Sequence, residues 1–142
     1  MSPPIETANI GAYRLDRAIG QGTYGKVYLG FHKSTNEKVQ HSMTQVAVKV
    51  IDKTQIQTTK NVARLQREIR FLKLLNHPHI VKVFDVVETD HYIYIVMEYA
   101  VGGELFDYIV SQKRVREVEA RSFFRMVLSA VDYCHKVNAP TD

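Results

Sequence analysis

The 142-residue chain is 45% hydrophobic and 24% charged, the balance of a folded globular domain rather than a disordered or membrane-embedded one. Its 19 Lys and Arg against 15 Asp and Glu give a formal charge of +4, interleaved along the chain, so no nucleic-acid-binding stripe stands out. A single cysteine, Cys134, excludes an intramolecular disulfide framework and points to a reducing compartment.

Residues 1–12, with Pro3, Pro4 and Gly11 and little periodicity, read as a flexible leader. They show no basic-then-apolar signal pattern, and no apolar run approaches membrane-spanning length, so cytoplasm is the expected address, with the nucleus as alternative. Tyr13–Gly20 reads as a strand with Tyr13, Leu15 and Ile19 on one side, and Lys26–His32 as a second, antiparallel strand. Between them lies Gly20-Gln21-Gly22-Thr23-Tyr24-Gly25. Without Cβ atoms, and with positive φ allowed, such glycines let backbone N–H groups approach a phosphate. The spacing G-x-G-x-x-G is weak evidence alone, because dinucleotide-binding folds share it and a plain hairpin turn needs no ligand. Here strand, rather than helix, follows the glycines, which argues against the dinucleotide reading.

Lys33–Thr44 is polar and aperiodic, a long surface connection. In the strand Gln45–Asp52, Val46, Val48 and Val50 point one way while Ala47, Lys49 and Ile51 point the other. A lysine on that second face is either on an open sheet surface or in need of a counterion. Thr58–Asn76 carries Val62, Leu65, Ile69, Leu72 and Leu75 at helical spacing, with Glu68 bordering the stripe. Glu68 can pair with Arg64 one turn earlier, or face the sheet and meet Lys49, which would give both charges a partner. The face Lys60, Arg64 and Arg67 is a solvated helical surface in preference to a nucleic-acid site.

His77-Pro78-His79 ends that helix, and Ile80–Glu88 and Tyr92–Tyr99 follow as strands around Thr89-Asp90-His91, with Ile93, Ile95 and Met97 on one face. These histidines lack the spacing of a metal site. Gly102-Gly103 breaks the pattern as a hinge would. Helices Glu104–Ser111 and Glu117 to about Val137 come next. The last is apolar nearly all round, with Phe123, Phe124, Met126, Val127, Leu128 and Val131, and four or so remaining residues cannot cover it. Exposure of Phe123, Phe124, Met126 and Leu128, and a partner covering residues 117–137, are the expectation.

Taken together, IGQGTYGKV, VAVK ending at Lys49, REIRFLKLLNHPHIVKV with Glu68, and IVMEYAVGGELFDYI resemble the eukaryotic protein kinases from about Tyr13 to Asn138. ELFDYI followed by EVEARSFFRMVLSAVDYCHK is similar to the calcium/calmodulin-dependent group, near the AMP-activated and sucrose-non-fermenting serine/threonine kinases. The resemblance implies an α+β fold: a kinase N-lobe of five antiparallel strands and one long helix over 13–100, a hinge, and the first two helices of the C-lobe over 101–138, with a divergent tail at 139–142. It implies that Gly20, Gly22 and Gly25 cover ATP phosphates with Tyr24 near the loop tip. Ile19, Val27 and Ala47 would roof the adenine and Lys49 would hold the α- and β-phosphates, oriented by Glu68 as its ion-pair partner. Met97 would stand behind the adenine, the Glu98 carbonyl and Ala100 N–H would bond its edge, Glu104 would approach the ribose, and Leu105 would pack beneath the base. Leu72 and Val83 become internal packing positions, and Arg64 a contact for a phosphorylated loop.

The family continues into His-Arg-Asp and Asp-Phe-Gly motifs, whereas this sequence reads Asn138-Ala139-Pro140-Thr141-Asp142. The catalytic base and the magnesium ligands are therefore absent from these residues. The expectation is the ATP-binding portion of a serine/threonine protein kinase, inactive alone, whose full-length form takes magnesium-ATP and a protein substrate. The alternative is a nucleotide- or partner-binding fragment that competes for a kinase's partners. Neither nucleic acid nor membrane is an expected partner.

Overall fold

The computed structural model describes residues 9–22, 25–33, 45–56 and 59–137. Tyr24, most of the expected leader and of the 33–44 connection, and the tail beyond Val137 lie outside them. The chain divides into two units, one of Met1–Leu74 with Lys82–Tyr99 and one of Leu75–Val81 with Ala100–Asp142. The described helices include none long and apolar enough to cross a membrane.

The first unit is an antiparallel sheet. Its strands are β1 (Asn9–Ile10), β2 (Tyr13–Gln21), β3 (Lys26–His32), β4 (Gln45–Asp52), β5 (Val83–Glu88) and β6 (Tyr92–Glu98), in the order β1-β2-β3-β4-β6-β5. The five expected strands are present, β5 beginning at Val83 rather than Ile80. A sixth, β1, lies inside the stretch read as leader. Gly11, at φ +54°, turns the chain between the paired residues Ile10 and Tyr13, and a two-residue loop with glycine first matches the twist of a hairpin. Ile10, 7% exposed, is thereby drawn into the core.

The two faces of β4 separate as the alternation requires. Val46, Val48 and Val50 join Ile10, Tyr13, Leu15, Tyr28 and Val96 in one cluster, with Val87, Tyr92 and Tyr94 against it. Because that cluster draws on both ends of the strand order, the sheet is curled. Burial in it raises the pKa of Tyr94, and, with the charge of Asp85, that of Tyr13. Two register shifts interrupt the β2–β3 ladder, between Leu15 and Ala18 and between Ala18 and Gly20. Ile19 lies within the second shift and, after the first, leaves the Tyr13–Leu15 face, since an extra residue reverses the alternation.

The opposite face carries Ile51, Ile93, Ile95 and Val83 and receives helix α1 (Thr59–Leu74) through buried Ile69 and partly buried Leu65. Burying one such side chain is worth about 1.5–3 kcal/mol. Polar groups tie the end of this layer. Lys53 Nζ bonds the Glu88 carboxylate at 2.5 Å and the Thr89 carbonyl at 2.7 Å, while Gln66 of α1 donates to the same Glu88 oxygen at 2.8 Å. Asp52 accepts from the Thr54 N–H and hydroxyl at 2.8 and 2.6 Å, closing a 3₁₀ turn at Lys53–Gln55. At the β5 edge a register shift follows Val83, and the Asp85 carboxylate accepts from the Val86 N–H at 2.8 Å with Lys73 at 3.9 Å.

The second unit holds α2 (Leu105–Gln112) and α3 (Glu117–Val137). Glu117 and Glu119 occupy the first turn of α3 and His135 and Lys136 the last, complementing its dipole at both ends. Phe123 meets Tyr108 edge-on, with ring centroids 5.9 Å apart, and the Tyr108 hydroxyl donates to the Glu119 carboxylate. That bond raises the Tyr108 pKa. Segment 75–81 is held to α3: the Asn76 N–H donates to the Tyr133 hydroxyl at 3.0 Å, and His77 Nε2 lies 3.1 Å from Ser129 Oγ. The His79 N–H donates to His77 Nδ1 at 3.1 Å, which leaves the His77 proton on Nε2, directed at Ser129. Phe124, Met126 and Leu128 are exposed as expected, while Phe123 is half-covered by Tyr108.

Candidate functional site

The glycine turn joins β2 to β3 and closes with a Gly22 N–H to Gly25 carbonyl bond of 2.7 Å. None of its three glycines has positive φ; the positive-φ glycines among the described residues are Gly11 and Gly103. Space, not a left-handed backbone, is what the loop glycines supply. A Cβ on Gly22 would lie 3.2 Å from both Cε and Nζ of Lys49, so the ammonium runs directly under the turn. A Cβ on Gly25 would overlap the Val50 carbonyl oxygen, so this glycine lets β3 start against the backbone of β4. The phosphate rationale did not show this second role, because strand-to-strand approach depends on register rather than on the loop's letters. Gly20 stands opposite Val27 with ordinary space around it.

Strand register assembles the rest. Val27 pairs with Lys49 and Lys49 with Ile95, while Leu29 pairs with Ala47 and Ala47 with Met97. Val27, Ala47, Lys49 and Met97 therefore occupy adjacent rows on one face. Ala47 is buried, Val27 and Lys49 are half-buried, and Met97 packs against the cluster that contains Ile69. Val83, buried opposite Met97, extends the row, and Ile19 is 37% exposed. Glu98 is bound to Lys82, donating its N–H to the Lys82 carbonyl at 2.8 Å and accepting the Lys82 N–H at 3.3 Å.

Glu68 is placed differently from the expected pairing with Lys49. Its carboxylate takes the Arg64 guanidinium at 3.1 Å, both side chains being mostly exposed, and among the described residues no carboxylate lies within 4.0 Å of Lys49. Lys49 is half-buried rather than enclosed, so it keeps water and is not forced to find a counterion. Glu68 also borders an open, largely apolar depression of about 460 Å³ lined with Arg67, Phe71 and Leu72. Leu72, expected as an internal packing position, is 43% exposed there.

Ala100, Glu104 and Leu105 belong to the second unit, and all three are exposed. The Ala100 carbonyl accepts the Gly103 N–H at 3.5 Å, and Gly103, at φ +77° in open space, supplies the turn expected of a hinge. Glu104 precedes α2 and its carbonyl accepts the Tyr108 N–H at 3.2 Å, with its carboxylate free of the helix end.

A lysine thus lies beneath a glycine turn, on a sheet face of an α+β unit with a small residue and a methionine in the next row. A model of the protein kinase domain family matches residues 13–139, and the chain belongs to that family. It is similar to the sucrose non-fermenting protein kinase 1 of Fusarium virguliforme, 46% identical over 127 residues, which are 89% of this chain and 17% of that protein. The chain thus spans about a sixth of the length of this relative.

Proposed function

We propose that this chain is the ATP-binding portion of a serine/threonine protein kinase. The observation that carries the reading is the Lys49 ammonium under Gly22, where a single Cβ would crowd it. A cation in the space that a glycine leaves open suits a triphosphate, whose charge it would partly neutralise. Gly20, Gly22 and Gly25 would cover the phosphates with Tyr24 near the tip, and Lys49 would hold the α- and β-phosphates. Ile19, Val27 and Ala47 would contact the adenine with Met97 behind it. Glu98, Ala100, Glu104 and Leu105 keep the hinge, ribose and base contacts that the family resemblance implies.

Bound ATP would supply the transferable phosphoryl group, and magnesium would supply charge neutralisation at its phosphates. Among the described residues no cluster of three His, Cys, Asp or Glu is placed to hold a metal, and no residue here is assigned to magnesium. On this reading the 142-residue polypeptide binds nucleotide and does not transfer phosphate by itself. A second reading, a fragment competing for a kinase's partners, is favoured by the exposed Phe124, Met126 and Leu128 on α3.

Thermal shift with a non-hydrolysable ATP analogue tests the proposal, with Lys49→Met as control. The wild-type chain should rise in melting temperature with ligand concentration and the variant much less. Equal shifts would remove Lys49 from the site, and no shift in either would remove the site.

A further inference from the structure

The loop between α2 and α3 combines two local costs that both place a cation. Lys113 ends α2 at φ +56°, the one non-glycine residue with positive φ among the described residues, where glycine or asparagine is ordinarily found. Arg116 precedes α3 and its carbonyl accepts the Ala120 N–H at 2.9 Å, so it occupies the cap position. Ser, Thr, Asp or Asn would satisfy an amide there; arginine has no acceptor and adds positive charge to the positive end of the dipole. Lys113 and Arg114 suit the carboxyl end of α2, whereas Arg116 opposes the dipole of α3 and acts electrostatically on Tyr108.

None of these charges joins an ion pair of the described residues, although Arg116 acts electrostatically on Tyr108. Among the described residues no carboxylate lies within 4.0 Å of Lys113, Arg114 or Arg116. The nearest acids in sequence are engaged elsewhere, Glu117 with Arg121 at 2.9 Å and Glu119 with the Tyr108 hydroxyl. Chain geometry holds the Cα atoms of the three residues within about 11 Å of one another. Phe106 and Val110, one turn apart on α2, are 70% and 59% exposed, and the Lys113 N–H bonds the Val110 carbonyl at 3.2 Å. Cations and apolar side chains are therefore offered side by side.

We propose that Lys113, Arg114 and Arg116, with Phe106 and Val110 beside them, form a docking surface for an acidic segment of a partner protein. Charge complementarity selects the occupant: carboxylates would meet the three cations while an apolar anchor covers the α2 side chains. An anionic membrane is the poorer fit, since polybasic membrane segments carry about four to eight basic residues and this loop carries three.

The test is fluorescence anisotropy of a fluorescein-labelled peptide, rich in Asp and Glu with two leucines one helical turn apart, titrated with the 142-residue chain. The triple variant Lys113→Gly, Arg114→Gln, Arg116→Ser should bind at least about tenfold more weakly. It should also melt at a higher temperature, because glycine suits the left-handed position and serine the cap. A charge-matched control, Lys60→Gln, Arg67→Gln, Arg70→Gln, should bind as the wild type does. Equal loss in the control would reduce the effect to net charge and overturn the proposal. So would undiminished binding by the loop variant, absence of peptide binding, or binding to phosphatidylserine-containing vesicles in place of the peptide.

Discussion

Alanine placed in turn at Gly20, Gly22 and Gly25 should separate three roles within one six-residue turn. None of these glycines has positive φ, so the backbone accepts alanine at each and the outcome rests on space. At Gly20 the nearest atom to a new Cβ is Val27 Cβ at 3.9 Å, an ordinary contact. Gly20→Ala should leave stability unchanged or raise it by about 0.4–1 kcal/mol through the less flexible unfolded chain. At Gly22 the neighbours at 3.2 Å are the far end of the Lys49 side chain, which can yield by a few tenths of an ångström. Gly22→Ala should stay within about 0.5 kcal/mol of wild type in stability while weakening the response to nucleotide, because Lys49 is what moves. At Gly25 the obstacle is the Val50 carbonyl, fixed in the β4 ladder, so β3 must back away. Overpacking against backbone belongs at the upper part of the usual range, about 2–3 kcal/mol. At roughly 4 °C per kcal/mol that is a fall of about 8–12 °C in melting temperature. Urea and thermal denaturation of the three variants, each with and without an ATP analogue, read both quantities. Wild-type stability in Gly25→Ala, or a greater loss in Gly20→Ala, would refute the spatial argument.

Three further outcomes follow from side-chain geometry. Hydrogen bonding from Lys53 lowers the Glu88 pKa, and bonds from Thr54 lower that of Asp52. A depressed folded-state pKa contributes stability above the unfolded carboxylate value of about 4 that is lost as pH falls through the folded value, so Glu88→Gln should flatten the acid limb of a stability–pH curve; an unchanged slope would count against the pairing. Glu68→Ala should cost less than about 1 kcal/mol in urea melts, as an exposed pair one helical turn apart does. A loss above about 2 kcal/mol would mean that Glu68 spends its time against Lys49 instead. Tyr133→Phe removes the hydroxyl that receives the Asn76 N–H and should cost about 0.5–1.5 kcal/mol. Hydrogen exchange at Asn76 should accelerate, and unaltered exchange there would show that the amide does not depend on Tyr133.

What the sequence disclosed and what it concealed divide along physical lines. The alternation of Gln45–Asp52 placed Val46, Val48 and Val50 correctly against Ile51, because a period of two needs only the chain itself. Two residues have no period, so β1 was hidden, although Gly11 marked its turn. Ile19 was misplaced because register shifts depend on the partner strand. Segment 75–81 read as strand from Ile80, yet it is fixed instead by Tyr133 and Ser129, more than 50 residues away. The letters of the glycine turn and Lys49 named two features that the fold brings together. The expected Lys49–Glu68 pair assumed a buried ammonium, and burial is a property of the fold rather than of the strand.

The two ends of the sheet bear on how the chain meets other chains. An unpaired strand edge invites another strand, and with it aggregation. Here one end is β1, which among the described residues pairs with Tyr13 and Arg14 alone and leaves Leu15–Gln21 of β2 along the edge. The other is β5, with an irregular ladder after Val83, Asp85 turned onto the following amide and Lys73 at hand. The β5 end is defended against strand addition by a kink with charge. Strand addition to this polypeptide would therefore proceed along β2 rather than β5.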